Sequence, residues 1–263
     1  MSPLEAFIIG LLQGITEFLP VSSSAHLKLA KLMFGIESSE SQVVFDLMCH
    51  FGTLIAVLSF FQKEIYALFT IERKKLKLLC IATLPLAPCY FLLKPLRDFA
   101  STPQYLGLCV ILTSFILFLG EKWRVRDQRK ATFKRDLKDV LLIGTMQASA
   151  LIPGISRSAS TISCARVLGW KAKDAVGFSF LLSIPTIIGG NCLELLKITL
   201  SRHASIQIPL STCLIGLFTS CAVGLLMVRI ALSFLEKGNL KPFAWYCLCA
   251  GTLMYFYLNF FRG

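Results

Sequence analysis

The chain alternates between two kinds of apolar stretch. Six runs, at 45–61, 78–93, 104–120 and about 175–199, 208–234 and 242–260, predict membrane-spanning helices, which need roughly 17 to 25 residues each. Four shorter pieces, 3–12, 25–34, 140–152 and 158–168, come in two pairs, each hinged at a polar turn around a proline, Pro20 or Pro153. None of the four is long enough to cross a bilayer. Irregular backbone at membrane depth is tolerated where it is buried in protein or lines a cavity, so each pair predicts a re-entrant helix pair. Pro20 and Pro153 lie 133 residues apart, about half the chain, and interrupted segments in corresponding halves point to a binding site between them. The fold class predicted is an all-α integral membrane protein. It has six transmembrane helices and two re-entrant pairs arranged as an inverted repeat. One membrane domain, 1–263, divides into halves of about 1–120 and 136–263, joined by a basic loop at 121–139. Pro85 and Pro88 should kink the second span.

Composition agrees with this pattern. Of 263 residues, 55% are hydrophobic and only 16% charged, against about 25% charged in an ordinary globular chain; the mean hydropathy is +0.69. The net charge of +12 sits in short blocks between apolar runs, which argues for orientation in a membrane and against nucleic acid as a partner. With the first span running inward, eighteen Lys and Arg fall in the cytoplasmic loops 62–77, 121–139, 165–173 and 235–241, and six fall outside. That orientation sends the first turn in from outside and the second from inside, so that their tips meet at mid-membrane. Three cations are left within apolar segments: Arg157, Lys197 and Arg229. Most of the ten cysteines sit in apolar runs as small hydrophobes, and Cys247 and Cys249 have CxC rather than CxxC spacing. The segment MSPLEAFIIGLLQG lacks the basic region and small-residue cleavage site of a removed signal peptide.

The chemistry lies in the two turns, QGITEFLPVSSSAH (13–26) and QASALIPGISRSAST (147–161). An ionisable residue in an apolar span marks a functional site by default. Gln13 and Glu17, four apart, share a helix face. Beyond Pro20 come Ser22, Ser23 and Ser24, then His26, which together offer an acid or base, a nucleophile and hydrogen-bond donors. In the second turn Ser156, Arg157 and Ser158 open a short helix. A guanidinium grips phosphate oxygens bidentately, and helix-start N–H groups favour an anion. Other readings stand beside these: Ser24 and Ser160 as helix caps, Glu17 and Arg157 as a structural ion pair, and His50 as a hydrogen-bonded packing residue. His203 reads as a loop residue, and Gly10 with Gly14 as helix packing.

The same stretches carry a family resemblance. QGITEFLPVSSSAH resembles the first signature, (E/Q)GxTEFLPVSSxxH, of the undecaprenyl-diphosphate phosphatases, also called bacitracin-resistance proteins, and PGISRSAST resembles their second, PGxSRSxxT. The likeness extends over the whole chain, including the basic central loop and FSFLLSIPTIIG. It implies a multi-pass enzyme of the bacterial inner membrane that acts on a polyprenyl diphosphate lipid in cell-wall synthesis. It also implies catalytic or diphosphate-binding roles for Glu17, Ser23, His26 and Arg157; Gln13, Ser22, Ser156, Ser158 and Thr161 complete the candidate substrate-binding set. A divalent cation, Mg²⁺ or Ca²⁺, is expected at Glu17, shared with substrate phosphates. Two departures bear on this. Gln13 replaces the first acid of the family's ExxxE pattern and so cannot ligate as a carboxylate, and Ala25 replaces a frequent glycine. The lipid phosphatases with a lysine-to-arginine, PSGH and SRxxxxxHxxxD set are a poorer match, since the histidine required after Ser156 and Arg157 is missing. A lipid carrier or flippase is the alternative from another class, because broken helices in inverted repeats are common in transporters. The sequence leaves the choice of serine or water as nucleophile open, and a homodimer as well.

Overall fold

The computed structural model describes residues 1–37, 39–124, 137–200 and 208–261. Most of the basic loop, 125–136, and the positions of His203, Arg202 and Arg262 lie outside the described residues. Helix α1, Pro3–Thr16, starts from a full capping box in which Ser2 and Glu5 bond reciprocally and Pro3 takes the first turn, an arrangement that satisfies two otherwise orphaned N–H groups. A turn leads to α2, Ser23–Met33, and then to α3, Glu40–Phe60. The segment expected as a basic loop at 62–77 is largely helical: α4, Gln62–Thr70, is followed by α5, Arg73–Thr83, whose first turns hold Lys74, Lys75 and Lys77. Lysine is a good helix former, so charge density alone did not make this stretch a loop. Helix α6, Leu86–Leu92, is cut from α5 at Pro85, where a missing N–H and a ring clash break the ladder. Between the runs expected at 78–93 and 104–120 lies a further short helix, α7, Lys94–Ala100, with Pro95 in its first turn, where proline is pre-set for helix.

Helix α8, Leu106–Lys122, closes the first half. The second half repeats the opening: α9, Leu137–Ala148, a 3₁₀ turn at Ser149–Leu151, a turn, and α10, Arg157–Val167. Then come α11, Ala172–Leu200, with Pro185 inside it, α12, Leu210–Leu235, and α13, Lys241–Phe256, running into a π-helical turn at Tyr257–Phe261. Among the described residues five helices are long and apolar enough to cross a membrane: Glu40–Phe60, Arg73–Leu92, Pro103–Lys122, Ala172–Leu200 and Leu210–Leu235. The sixth expected run is the shorter α13, whose regular hydrogen bonding ends at Phe256.

The packing of the two halves corresponds. α1 packs on α2 and α12, as α9 packs on α10 and α5, and α3 packs on α12 as α11 does on α5. Helices press together through small residues, as in membrane bundles generally. A Cβ at Gly14 would stand 2.7 Å from Val223 Cβ on α12, so the Gly10 and Gly14 pair is a packing face. The largest core cluster takes residues from both halves, among them Phe18, Val57, Ile143, Phe180 and Val228.

Candidate functional site

Both turns are built to hold side chains at a fixed depth. Glu17 caps α1 in helical conformation, and its neighbour Phe18 is fully buried against Phe180, ring centroids 5.6 Å apart, so the carboxylate is anchored by its own chain neighbour. Ser22 has φ 70°, ψ 89°, the only positive φ outside glycine among the described residues. That conformation turns the chain sharply enough for Ser23 to open α2 while facing back towards Glu17. In the second turn Gly154 has φ +97°, and a Cβ there would stand 2.5 Å from Cys109 Cβ. Thr113 Oγ1 on α8 clamps this turn, donating to Gly154 O (3.0 Å) and accepting from Ser156 N (3.1 Å). Ser156 Oγ then caps α10, accepting from Ala159 N at 3.2 Å.

The two turns are bonded to each other. Ser158 Oγ donates to Leu19 O (3.0 Å), and Gly154 N to Ser24 Oγ (3.4 Å). At their junction Glu17 gathers four groups. Its Oε2 accepts from Ser23 Oγ (2.8 Å) and Gln13 Nε2 (3.0 Å), its Oε1 accepts from Arg157 Nη2 (3.2 Å), and His50 Nδ1 stands 3.6 Å from Oε2. The Glu17 and Arg157 side chains are 8% and 12% exposed, so the pair is held in a medium where an unpaired charge would be costly. Arg157 Nη1 donates to Ser179 O (3.0 Å), which points the guanidinium. Thr161 Oγ1 meets Ser179 Oγ at 2.7 Å and donates to Arg157 O.

A cavity of about 740 Å³ opens beside this junction; Glu17, Ser22, Ser23, Ser156, Arg157 and Ser158 all line it. Its other walls are mainly apolar, with Leu47, Leu86, Leu151 and Ile187 among them, and Phe91, 73% exposed, stands at its rim. Two sequence-predicted residues stand behind the wall: Gln13, fully buried, and Thr161, in the α10–α11 contact. His26 is elsewhere. Its Nδ1 bonds Ser22 O and its Nε2 the Tyr246 hydroxyl, each at 2.8 Å, with the two rings stacked, and it is not among the lining residues. Neither Ser24 nor Ser160 caps a helix: Ser24 faces Gly154, and Ser160 Oγ donates to Ser156 O inside α10.

Sequence reasoning placed His50 in the packing, yet it lines the cavity. Gln13 Nε2 lies 2.8 Å from its Nδ1; an amide nitrogen only donates, so this ring nitrogen accepts and the ring proton sits on Nε2. The signal was available, since His50 is an ionisable residue in an apolar run, the criterion that singled out Arg157. Gln147 and Thr186 are joined at 3.2 Å and both line the cavity; Gln147 opens the second turn as Gln13 opens the first, whereas Thr186 had no comparable signal.

For a divalent cation the donor set is sparse. Among the described residues no three His, Cys, Asp or Glu are grouped to hold an ion. Glu17 is the one carboxylate at the junction, and Gln13 Oε1 is buried without a hydrogen-bond partner. These fit a cation that takes one carboxylate and draws its other ligands from water and phosphate, as Mg²⁺ does, rather than a preformed cage.

A helical, multi-pass membrane protein with a hydroxyl, a carboxylate and a guanidinium converging at one cavity belongs to the class of membrane enzymes built to handle an anionic headgroup. The family model described as "Bacitracin resistance protein BacA" matches residues 6–253; the chain belongs to that family. It is 43% identical over 261 residues to the undecaprenyl-diphosphatase of Protochlamydia amoebophila, covering 97% of this chain and 99% of that protein. It is 39% identical to the undecaprenyl-diphosphatase of Carboxydothermus hydrogenoformans, covering 96% of each, and 37% identical to that of Geobacter sulfurreducens, covering 98% and 99%.

Proposed function

We propose that the chain removes the terminal phosphate of undecaprenyl diphosphate, releasing inorganic phosphate and returning the monophosphate carrier to peptidoglycan synthesis. The diphosphatase relatives that it matches over nearly their whole length support this. The observation that carries the reading is the meeting of Ser23 and Arg157, from opposite halves, on the Glu17 carboxylate at 2.8 and 3.2 Å. A nucleophile within hydrogen-bond reach of its base is the arrangement that covalent catalysis requires. On substrate binding, Arg157 turns from Glu17 to the diphosphate oxygens, and Glu17 is left to serve Ser23. Ser23 Oγ attacks the terminal phosphorus, its proton passes to Glu17 Oε2, and the bond to the bridging oxygen breaks. The lipid monophosphate leaves with that proton. Water then attacks the phosphoseryl group, giving a proton to Glu17 that returns to the Ser23 oxygen as inorganic phosphate departs. Arg157 and the second turn's amides neutralise charge as it develops. His50 orients Gln13 against Glu17, while His26, bonded through both ring nitrogens, fixes the first turn to α13.

Glu17 would hold a divalent cation, which when bound would neutralise diphosphate oxygens. The setting is the bacterial inner membrane. α1 with α2 and α9 with α10 form two re-entrant pairs, and six spans including α13 surround them; the corresponding packing of the halves supports this inverted repeat. The apolar cavity wall and exposed Phe91 suit the start of an isoprenyl tail, which is too long for a closed cavity of ordinary size. A carrier that merely moved the lipid would have no use for a hydroxyl paired with a base. The test is phosphate release from C55 diphosphate by detergent-solubilised protein, where no membrane remains to be crossed. Wild type should turn over. Arg157→Lys should lose most activity, because a point charge cannot bond Glu17 and Ser179 O in one plane and then fork onto phosphate. Wild-type protein that binds the lipid and releases no phosphate would favour the carrier.

A further inference from the structure

The far end of the cavity holds a second group of charges that the reaction does not use. α11 lines the cavity from Pro185 to Lys197, and Tyr90 of α6 and Arg97 of α7 line it opposite. Lys197 stands eighteen residues beyond Ser179, the residue whose carbonyl holds Arg157. At 1.5 Å per residue that is about 27 Å along the helix, far beyond the reach of one diphosphate. Both cations lie on the same phenol ring: Arg97 Cζ is 4.0 Å from the Tyr90 centroid and Lys197 Nζ is 5.4 Å from it. Arg97 Nη1 also donates to Tyr90 O at 3.4 Å.

The charges there do not balance. Lys197 is paired with Glu194 at 2.5 Å, but the Arg97 guanidinium has no carboxylate partner among the described residues and lies against Tyr90. Two like charges on one ring repel, and a cationic stem in an apolar wall is costly, so the cluster is stable only to the extent that the aromatic face and an anion offset it. Glu194 and Lys197 are 40% and 50% exposed at their side chains, so this end is open to solvent. It belongs to the ends of α11 and α7 that the distribution of lysine and arginine assigns to the outer face.

We propose that Arg97 and Lys197, seated on Tyr90, form a second oxyanion subsite at the mouth of the cavity, which receives a phosphate group in transit. A guanidinium with free donors grips a phosphate as a fork, and the excess of cations at this end, two against Glu194, raises the local concentration of anions. The phosphate comes from one of two sources: the headgroup of the lipid on its way in, or the inorganic phosphate on its way out. The inference rests on the diphosphatase reading, but its failure is separable from the failure of that reading.

The experiment compares wild type, Arg97→Gln, Lys197→Gln, the double variant and Arg97→Lys, all full length and in detergent. It reads kcat, KM for C55 diphosphate, and the inhibition constant of added inorganic phosphate. Losing a charged hydrogen-bonding partner shifts binding by roughly tenfold. If the headgroup is the source, KM rises about that much in the double variant while kcat and phosphate inhibition hold. If free phosphate is the source, its inhibition constant rises and KM holds. Arg97→Lys should restore part of either shift. A double variant with KM and phosphate inhibition both unchanged overturns the subsite, as does a fall in kcat alone that Arg97→Lys shares. An arm independent of turnover follows line broadening of inorganic phosphate by phosphorus NMR in an Arg157→Ala background, where the inner site is disabled. Broadening that disappears on adding Arg97→Gln and Lys197→Gln supports the proposal, and broadening that persists or never occurs overturns it. A wild type without turnover sinks the diphosphatase reading alone, since this last arm would still report on the mouth.

Discussion

Glu17 carries more of the site than any other residue. Its two oxygens accept from Ser23, Gln13 and Arg157, so it is at once the proposed base and the place where the two turns join. Glu17→Gln keeps the shape and one acceptor oxygen but loses the charge. It should insert and fold while losing turnover by at least about a hundredfold, the usual contribution of a positioned acid or base; steady-state rates on protein matched by membrane abundance would check this, and absence of the variant from the membrane would make Glu17 structural instead. The cation proposal belongs at the same scale. With Glu17 the one carboxylate at the junction, the ion should bind weakly without substrate and be needed for turnover, so excess chelator should abolish phosphate release and added Mg²⁺ or Ca²⁺ restore it. Undiminished release in chelator would remove the ion from the mechanism.

At the scale of elements, the first turn depends on one strained residue. Ser22 at φ 70° sits where side chains clash with the backbone, a cost of about 1–3 kcal/mol for a residue held there. Ser22→Gly should therefore keep or raise the melting temperature, whereas the β-branched Ser22→Val should lower it and reduce activity as Ser23 swings from Glu17. Equal melting temperatures for the two variants would show that the conformation is not under strain. The second turn solves the same problem with Gly154. This difference explains what was legible locally. Proline and serine signalled two turns, but a left-handed serine has no sequence signature. His26, which its place in the motif drew to the site, stands outside the cavity with both ring nitrogens bonded, to Ser22 O and to the Tyr246 hydroxyl.

For the whole molecule the inverted repeat predicts a direction. If the inverted repeat holds, residues 121–139 face the cytoplasm and 201–207 face outward, so that the two turns enter from opposite sides. Reporter fusions check this: green fluorescent protein joined after residue 130 should fluoresce, and alkaline phosphatase joined after residue 203 should be active. The reverse pattern, or the same side for both, would defeat the opposed entry of the turns.

The sequence by itself determined the class of molecule and singled out the two polar turns that the structure brings together. Apolar runs of spanning length need only a hydropathy pattern, and charge or hydroxyl in such runs is too costly to be incidental. Pairing of the turns was legible too, because both interruptions recur half a chain apart. Only the tertiary structure decided which side chains meet. Glu17 and Arg157 are 140 residues apart and join because the turn after α1, through Phe18 and Val21, shares one core with Ala159 and Ile162 of α10; His50 reaches Gln13 from α3; Arg97 and Lys197 share a ring across α7, α6 and α11. A contact between distant segments depends on packing and on rotamers set by neighbours, and no local pattern in the chain encodes it.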